Sequence, residues 1–462
     1  MEPKDIIILP LDVDSVQKAL PLARQLVSHV GLFKLGLEFI NSMLVSVIIP
    51  SGEDEALGNL RLIRELFETL GRDVVFWDGK FDDIPNTVGG ASLSVARMGV
   101  KMFNVHASAG REAVLKAVAN KSNSLVLGVT VLTSISSEEC VSIFGDKPGP
   151  KVLQFARMLV EVGADGIICS PQELELLRQQ PELKNLLKVI PGVRPLWAAV
   201  GDQKRVMTPR EAIIAGADYL VIGRPITQPP AEIGSPVDAA KKIAEEIAAA
   251  LIEKRALEIF AQTKAIIVRS HVVYTSGKHG SEYVNKDAVY PDTEATDELC
   301  QAIAEHFKDN NEIEVVAGPA VGGVLLSQGI ARHLTRLTGL KISSVYAEKA
   351  DEGDALVFKR GYAEFVRGRN VLVVDDVLTT GGSVKKLIEA VRILGGKVVG
   401  VGGLCNRGDV KPADIGDVPE LFTLTTVHMA TYEEAECPLC KAGIPINTDV
   451  GKGKEYVVRK CL

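Results

Sequence analysis

A chain of 462 residues, 46% hydrophobic and 24% charged, can bury a large core, and its length suggests about two to four domains. A net charge of -7 without a basic stripe argues against nucleic-acid binding, and no apolar run reaches membrane length. Seven cysteines spread over this length make no disulfide framework, and the odd count reads as reduced thiols in a cytoplasmic protein.

In chain order, short apolar runs alternate with amphipathic stretches. The runs are Ile6 to Leu11, Gly31 to Leu35, Val74 to Trp77, Met102 to Val105, Leu125 to Thr130, Gly166 to Cys169, Leu187 to Ile190 and Tyr219 to Ile222. Strands separated by helices predict a parallel sheet covered on both faces, and this number over about 235 residues predicts a (βα)8 TIM barrel. Barrel active sites form at the C-terminal strand ends, where polar residues do fall here. Asp12 follows the first run, Lys34 lies in the second, Asp78 and Lys80 follow the third, and His106 the fourth. Thr133 and Ser134 follow the fifth, Arg194 the seventh, and Gly223-Arg224 the eighth. The helix-forming stretch Ala239 to Leu257, free of Pro and Gly, ends the barrel and leads into a second α/β pattern. Strands are predicted there at Glu314 to Ala317, Ile342 to Ala347, Val371 to Val374 and Val398 to Leu404, and the division falls at 1–252 and 253–462.

The charged cluster after the third run, Asp78-Gly79-Lys80-Phe81-Asp82-Asp83, puts an ammonium among carboxylates at a buried strand end. Taken alone, such a D-x-K-x-x-D reads as a solvated salt bridge. At a barrel strand end it reads as a preorganised field that keeps Lys80 protonated. With Phe33-Lys34-Leu35-Gly36, Ile84-Pro85-Asn86-Thr87, Pro191-Gly192-Val193-Arg194, Gly201-Asp202-Gln203-Lys204-Arg205 and Gly223-Arg224-Pro225, residues 1 to 235 resemble orotidine 5'-phosphate decarboxylase.

That resemblance implies decarboxylation of a pyrimidine nucleotide without metal or cofactor. Lys80 would stabilise and protonate the ring carbanion, Asp78 would press on the substrate carboxylate, and Lys34 and Asp83 would complete the catalytic array. It implies further that Asp83, Ile84 and Thr87 reach into a neighbouring subunit's site, hence a homodimer or higher homo-oligomer. Asp12 would bind the ribose and Ser134 the pyrimidine, with Thr133 and Arg194 beside them. Gln203, Gly223 and Arg224 would take the phosphate. A sugar-phosphate enzyme of the same superfamily also uses D-x-K-x-x-D, usually with magnesium; the Ile-Pro-Asn-Thr run and the Gly-Asp-Gln stretch argue against it.

In the second half, Val371-Leu372-Val373-Val374-Asp375-Asp376 delivers two carboxylates from a buried strand. Thr379-Thr380-Gly381-Gly382-Ser383 then curls onto a helix start, an anion cradle. Asp-Asp-x-x-Thr alone reads as a helix cap, but the full run resembles the phosphoribosyl pyrophosphate signature of type I phosphoribosyltransferases. Residues 256 to 462 resemble orotate phosphoribosyltransferase, through Tyr274 to Lys278, Tyr283-Val284-Asn285, Gly318 to Gly323 and Asn406-Arg407.

The second resemblance implies that Asp375 and Asp376 hold the ribose, and that Mg2+ enters with phosphoribosyl pyrophosphate. Lys278, Tyr283 and Arg407 would meet orotate and phosphates. Lys349, in Ala347-Glu348-Lys349-Ala350-Asp351-Glu352-Gly353, would be the catalytic loop lysine, with Lys359 and Arg360 adding charge. That loop lacks the His usual in the family. Cys437-Pro438-Leu439-Cys440 is a lone C-x-x-C whose zinc would need two more ligands, with Cys405 and His428 as candidates; a reduced structural turn without metal is the expectation.

Together the halves are expected to convert orotate and phosphoribosyl pyrophosphate to orotidine 5'-phosphate, then to UMP and carbon dioxide. The alternative is an active decarboxylase joined to a phosphoribosyltransferase-fold nucleotide sensor, for which the missing His is the hint.

Overall fold

Each of the eight apolar runs of the first half forms a parallel strand. They are β1 (Ile7–Pro10), β2 (Leu32–Gly36), β3 (Val75–Phe81), β4 (Met102–His106), β5 (Leu125–Val129), β6 (Gly166–Ile168), β7 (Leu187–Pro191) and β8 (Tyr219–Val221). They pair in chain order, and Ile8 of β1 lies opposite both Leu32 and Val221, so the sheet closes into a barrel. In this computed structural model residues 1–198, 207–267, 270–274, 276–427 and 429–460 are described. The chain divides into two units, Met1–Leu251 and Ile252–Leu462.

Side chains alternate along each strand, which sorts the barrel into two cores. Ile7, Leu9, Phe33, Leu35, Val75 and Phe103 face the surrounding helices, whereas Ile8, Leu32, Phe76, Met102, Leu127, Val189 and Tyr219 form an inner plug. Two residues further along, the inner face carries Pro10, Lys34, Asp78, Asn104, Val129, Pro191 and Val221. The polar site is therefore the next layer of the barrel interior, seated on an apolar floor.

The helix Pro236–Gln262 crosses the division between units. Its Ala240, Ile243 and Ile247 belong to the barrel's outer core, and its Ala256, Ile259 and Phe260 to a core of the second unit.

The second unit begins with two short antiparallel pairs. β9 (Ile266–Ile267) pairs with β12 (Tyr283–Val284), and β10 (Val272–Val273) with β11 (His279–Gly280). Its main sheet uses β13 (Val315–Pro319), β14 (Ser343–Lys349), β15 (Leu356–Val357), β16 (Asn370–Leu378), β17 (Lys397–Asn406) and β18 (Leu421–Thr426), in the order 15-14-13-16-17-18. Only β15 runs antiparallel in that sheet. The four predicted runs are its centre; β15 and β18 are edges whose short or Thr-rich sequences gave no comparable signal. Val316, Leu372 and Val374 pack on one face and Val315, Val371 and Val373 on the other.

Candidate active sites

β3 does not stop at Trp77 but runs to Phe81, and its pairing with β4 shifts register between Trp77 and Phe81. The irregularity re-aims the strand end. Lys80 sits there at φ 46, an unusual backbone for a side-chain-bearing residue, of the kind concentrated at functional sites. Its Nζ donates to both oxygens of Asp78, at 2.7 and 2.8 Å.

Asp78, only 4% exposed, is the centre of a chain of alternating charge. Lys34 Nζ lies 3.0 Å from its Oδ2 and 3.1 Å from Oδ1 of Asp12, which closes the series Asp12–Lys34–Asp78–Lys80. Burial pushes the Asp78 carboxyl up, but the two ammonium charges and hydrogen bonds from Lys80 and Asn104 outweigh it and hold the pKa below the ordinary value. Burial likewise opposes the charge of Lys34, and Asp78 and Asp12 more than restore it, raising its pKa.

Asn104 was not singled out in the sequence. It is fully buried on β4, donates from Nδ2 to Asp78 Oδ1 at 2.6 Å, and accepts the Lys80 backbone N–H at 2.7 Å. It thus orients both members of the central pair. Its signal is a polar residue in the middle of Met-Phe-Asn-Val-His, with no local partner to explain it.

Asp12, Lys34, Asp78, Lys80, Thr133, Arg194, Gly223 and Arg224 line one cavity of about 480 Å³ over the barrel mouth, a size suited to a small ligand. A side chain at Gly223 would press on Pro10 at 2.9 Å, so the backbone there is kept bare. Ser134 is exposed and not among the lining residues, and Gln203 lies outside the described residues. Asp83, Ile84 and Thr87 also stand apart: all three are exposed, and the Asp83 carboxylate accepts the Ile84 backbone N–H at 2.7 Å. Within one chain, the carboxylate that holds Lys80 is Asp78 rather than an Asp78–Asp83 pair.

In the second unit Asp375 and Asp376 lie toward the C-terminal end of β16, at 7% and 3% exposure. Lys286 Nζ meets Asp376 Oδ2 at 2.7 Å and the Tyr290 hydroxyl donates to the same oxygen at 3.1 Å. Asp375 accepts the Asp376 backbone N–H at 2.9 Å. Burial first, and then the Asp376 charge, push Asp375 up to about 7. Burial opposes the charge of Lys286, yet Asp376 raises its pKa above the ordinary value. Neither Lys286 nor Tyr290 was singled out in the sequence, because only the fold sets them against a distant strand, 86 residues away in the case of Tyr290.

Past β16, exposed Thr379 and Thr380 lead to Gly381, whose φ of 71 is left-handed and whose missing side chain avoids Ile415. Gly382 and Ser383 then open the helix Gly382–Ile393, leaving its first N–H groups at the loop. Arg407 follows β17, its backbone N–H bonded to Leu378 O at 2.8 Å and its guanidinium 4.8 Å from the Tyr274 ring centroid.

The remaining residues lie further out. Lys349 is exposed at the end of β14, and Tyr283 is half-buried on β12. Lys359 pairs with Asp351 at 2.6 Å, Arg360 with Glu348 at 3.1 Å and Lys278 with Glu433 at 3.2 Å. The two loop cations are therefore already neutralised within the chain. Thr275 lies outside the described residues.

Residues 5–243 match the family model for the orotidine 5'-phosphate decarboxylase / HUMPS family, and the chain belongs to that family. Residues 285–434 match the phosphoribosyl transferase domain, so one polypeptide fuses a decarboxylase-family barrel to a phosphoribosyltransferase, an enzyme organisation consistent with UMP synthesis.

The orotidine 5'-phosphate decarboxylase of Syntrophomonas wolfei is 41% identical over 261 residues, 54% of this chain and 99% of that protein. That of Heliobacterium modesticaldum is 40% identical over 269 residues, 55% of this chain and 100% of that protein. Among solved structures, the decarboxylase of Lactobacillus acidophilus is 28% identical, with a TM-score of 0.41, and covers 52% of this chain and 98% of its own. The UMP synthase of Leishmania donovani, 14% identical with a TM-score of 0.42, covers 99% of this chain and 97% of its own.

Proposed function

We propose that the second unit joins orotate to phosphoribosyl pyrophosphate and that the barrel decarboxylates the resulting orotidine 5'-phosphate to UMP. The observation that carries the decarboxylase reading is Lys80, clamped by both oxygens of a buried Asp78 that Lys34 holds from the other side. A substrate carboxylate set against Asp78 is destabilised by like charge. As the bond from ring carbon to carboxylate breaks, carbon dioxide leaves, its electron pair stays on the ring, and the Lys80 ammonium proton moves to that carbon. On this reading Asp12 binds the ribose, Thr133 and Ser134 the base with Arg194 beside them, and Gly223, Arg224 and Gln203 take the phosphate.

In the second unit, two adjacent buried carboxylates face one lysine: Lys286 pairs with Asp376, and burial with the Asp376 charge raises Asp375. That donor set fits the Mg2+ complex of phosphoribosyl pyrophosphate, in which the ion shields pyrophosphate charge. Asp375 and Asp376 bind the ribose hydroxyls, the 379–383 loop cradles the 5-phosphate, and Arg407 with Lys278 and Tyr283 receives orotate. Lys349, Lys359 and Arg360 serve the pyrophosphate. Asp83, Ile84 and Thr87 serve a partner's barrel in a homodimer. A cytoplasmic setting fits the six described cysteines, none of them in a disulfide.

The test uses the full chain with orotate, Mg2+ and phosphoribosyl pyrophosphate, reading pyrophosphate and carbon dioxide separately. Lys80→Ala is expected to abolish carbon dioxide release while sparing pyrophosphate release, and Asp376→Asn to consume supplied orotidine 5'-phosphate yet make none. A second unit silent toward orotate in the folded wild-type chain would favour the sensor reading.

A further inference from the structure

The lone C-x-x-C is not alone in the fold. Cys437 and Cys440 converge with His271 and His279, one ligand atom from each lying within 4.8 Å of all the others, and all but Cys440 are buried. Cys405, the ligand candidate suggested by sequence, lies instead in the sheet on β17, opposite Val377 and Thr425; His428 is outside the described residues. We propose that His271, His279, Cys437 and Cys440 bind one structural zinc ion through two sulfurs and two nitrogens.

The three S···N separations match the edges of a coordination shell. Tetrahedral zinc with Zn–S of about 2.3 Å and Zn–N of about 2.0 Å requires S···N edges of roughly 3.5 Å. Cys437 Sγ is 3.7 Å from His271 Nε2, and Cys440 Sγ is 3.6 Å from His271 Nε2 and 3.3 Å from His279 Nδ1. The two ring nitrogens approach to 2.9 Å.

The tautomer is set correctly for a ligand. His271 Nδ1 lies 2.6 Å from the Ile444 carbonyl, which only accepts, so Nδ1 carries the proton and Nε2 presents a bare lone pair to the cluster. His279 Nε2 is buried with no hydrogen-bond partner among the described residues, leaving its Nδ1 as the polar atom with work to do here. Two thiolates and two neutral imidazoles around a dication sum to zero charge, which a buried site tolerates. Sulfur with imidazole in a tetrahedral set selects zinc over harder cations, and four protein ligands make a closed, structural site.

The location explains the need. Among the described residues, none of 271–283 or 430–460 joins the two apolar cores of the second unit. That corner is held by backbone bonds: His279 and Tyr432 exchange N–H···O pairs at 2.8 Å, and Asn447 and Lys452 donate to His271 and Val273 at 2.7 Å. A region with so little core is where a metal staple contributes most. It ties the β10–β11 hairpin, whose turn carries Tyr274 and Lys278, to the C-terminal segment.

The test is metal content of the full chain, purified under reducing conditions without added metal and read by mass spectrometry. About one zinc per chain is expected, falling below about a tenth in Cys437→Ser/Cys440→Ser. Should that variant fail to fold, cobalt(II) loaded into wild-type apoprotein decides: a thiolate-to-cobalt charge-transfer band with intense tetrahedral d–d absorption is expected. Zinc content unchanged by the double substitution, or wild-type protein without zinc and without the cobalt–thiolate band, overturns the site. Neither readout depends on orotate chemistry, so failure here and failure of the proposed reaction remain distinct.

Discussion

Replacing Asp375 by Asn tests whether the second site stores unfavourable charge. The carboxyl is ordinary at 3.8 in the unfolded chain and is raised to about 7 in the fold by burial and by the adjacent Asp376. Between those values the unfolded state has released its proton while the native state keeps it. Native stability therefore falls as pH rises from about 4 to about 7 and is flat above. At about 1.4 kcal/mol per unit, the group costs the fold on the order of 4 kcal/mol at pH 8 and less than half of that at pH 5. The amide introduced by Asp375→Asn keeps an acceptor for the Asp376 backbone N–H, a bond of 2.9 Å in the wild type, and removes the charge. Ligand-free Asp375→Asn should thus gain about 3 kcal/mol more over wild type at pH 8 than at pH 5. Urea unfolding would be followed through the transition that phosphoribosyl pyrophosphate with Mg2+ shifts. A gain independent of pH, or a loss at pH 8, would refute the reasoning.

Asn104→Ala removes the donor to Asp78 and the acceptor for Lys80 N–H, so carbon dioxide release should drop about 10- to 100-fold, with a stability loss of about 1–3 kcal/mol by thermal unfolding. Gly381→Ala forces a β-carbon onto Ile415 in a left-handed backbone; a cost of about 1–3 kcal/mol and a higher KM for phosphoribosyl pyrophosphate are expected, with decarboxylation of supplied nucleotide unchanged. If Asp83 completes a partner's site, Lys80→Ala and Asp83→Ala are each inactive in carbon dioxide release, and mixing them restores about a quarter of wild-type activity as hybrid dimers form.

The eight barrel strands were legible because each is a contiguous apolar run bounded by polar residues, and a buried parallel strand needs that composition locally. Lys34, Asp78 and Lys80 were legible for the complementary reason: charge directly beyond such a run is conspicuous. So were Asp375 and Asp376 before their Gly-rich loop. Asn104, Lys286 and Tyr290 carry no such mark, since each acquires its role through a partner on another strand or segment.

The same contrast governs the cysteine pair. A C-x-x-C is visible at a glance, but His271 precedes Cys437 by 166 residues and His279 precedes Cys440 by 161. By itself, then, the order of residues determined the strands and the charges at their mouths, because hydrophobic period and strand-end chemistry are local. Which buried polar groups meet, and that Asp83 leaves Lys80 to Asp78 within one chain, was decided only by tertiary structure, because barrel closure and sheet order bring together atoms that sequence spacing does not relate.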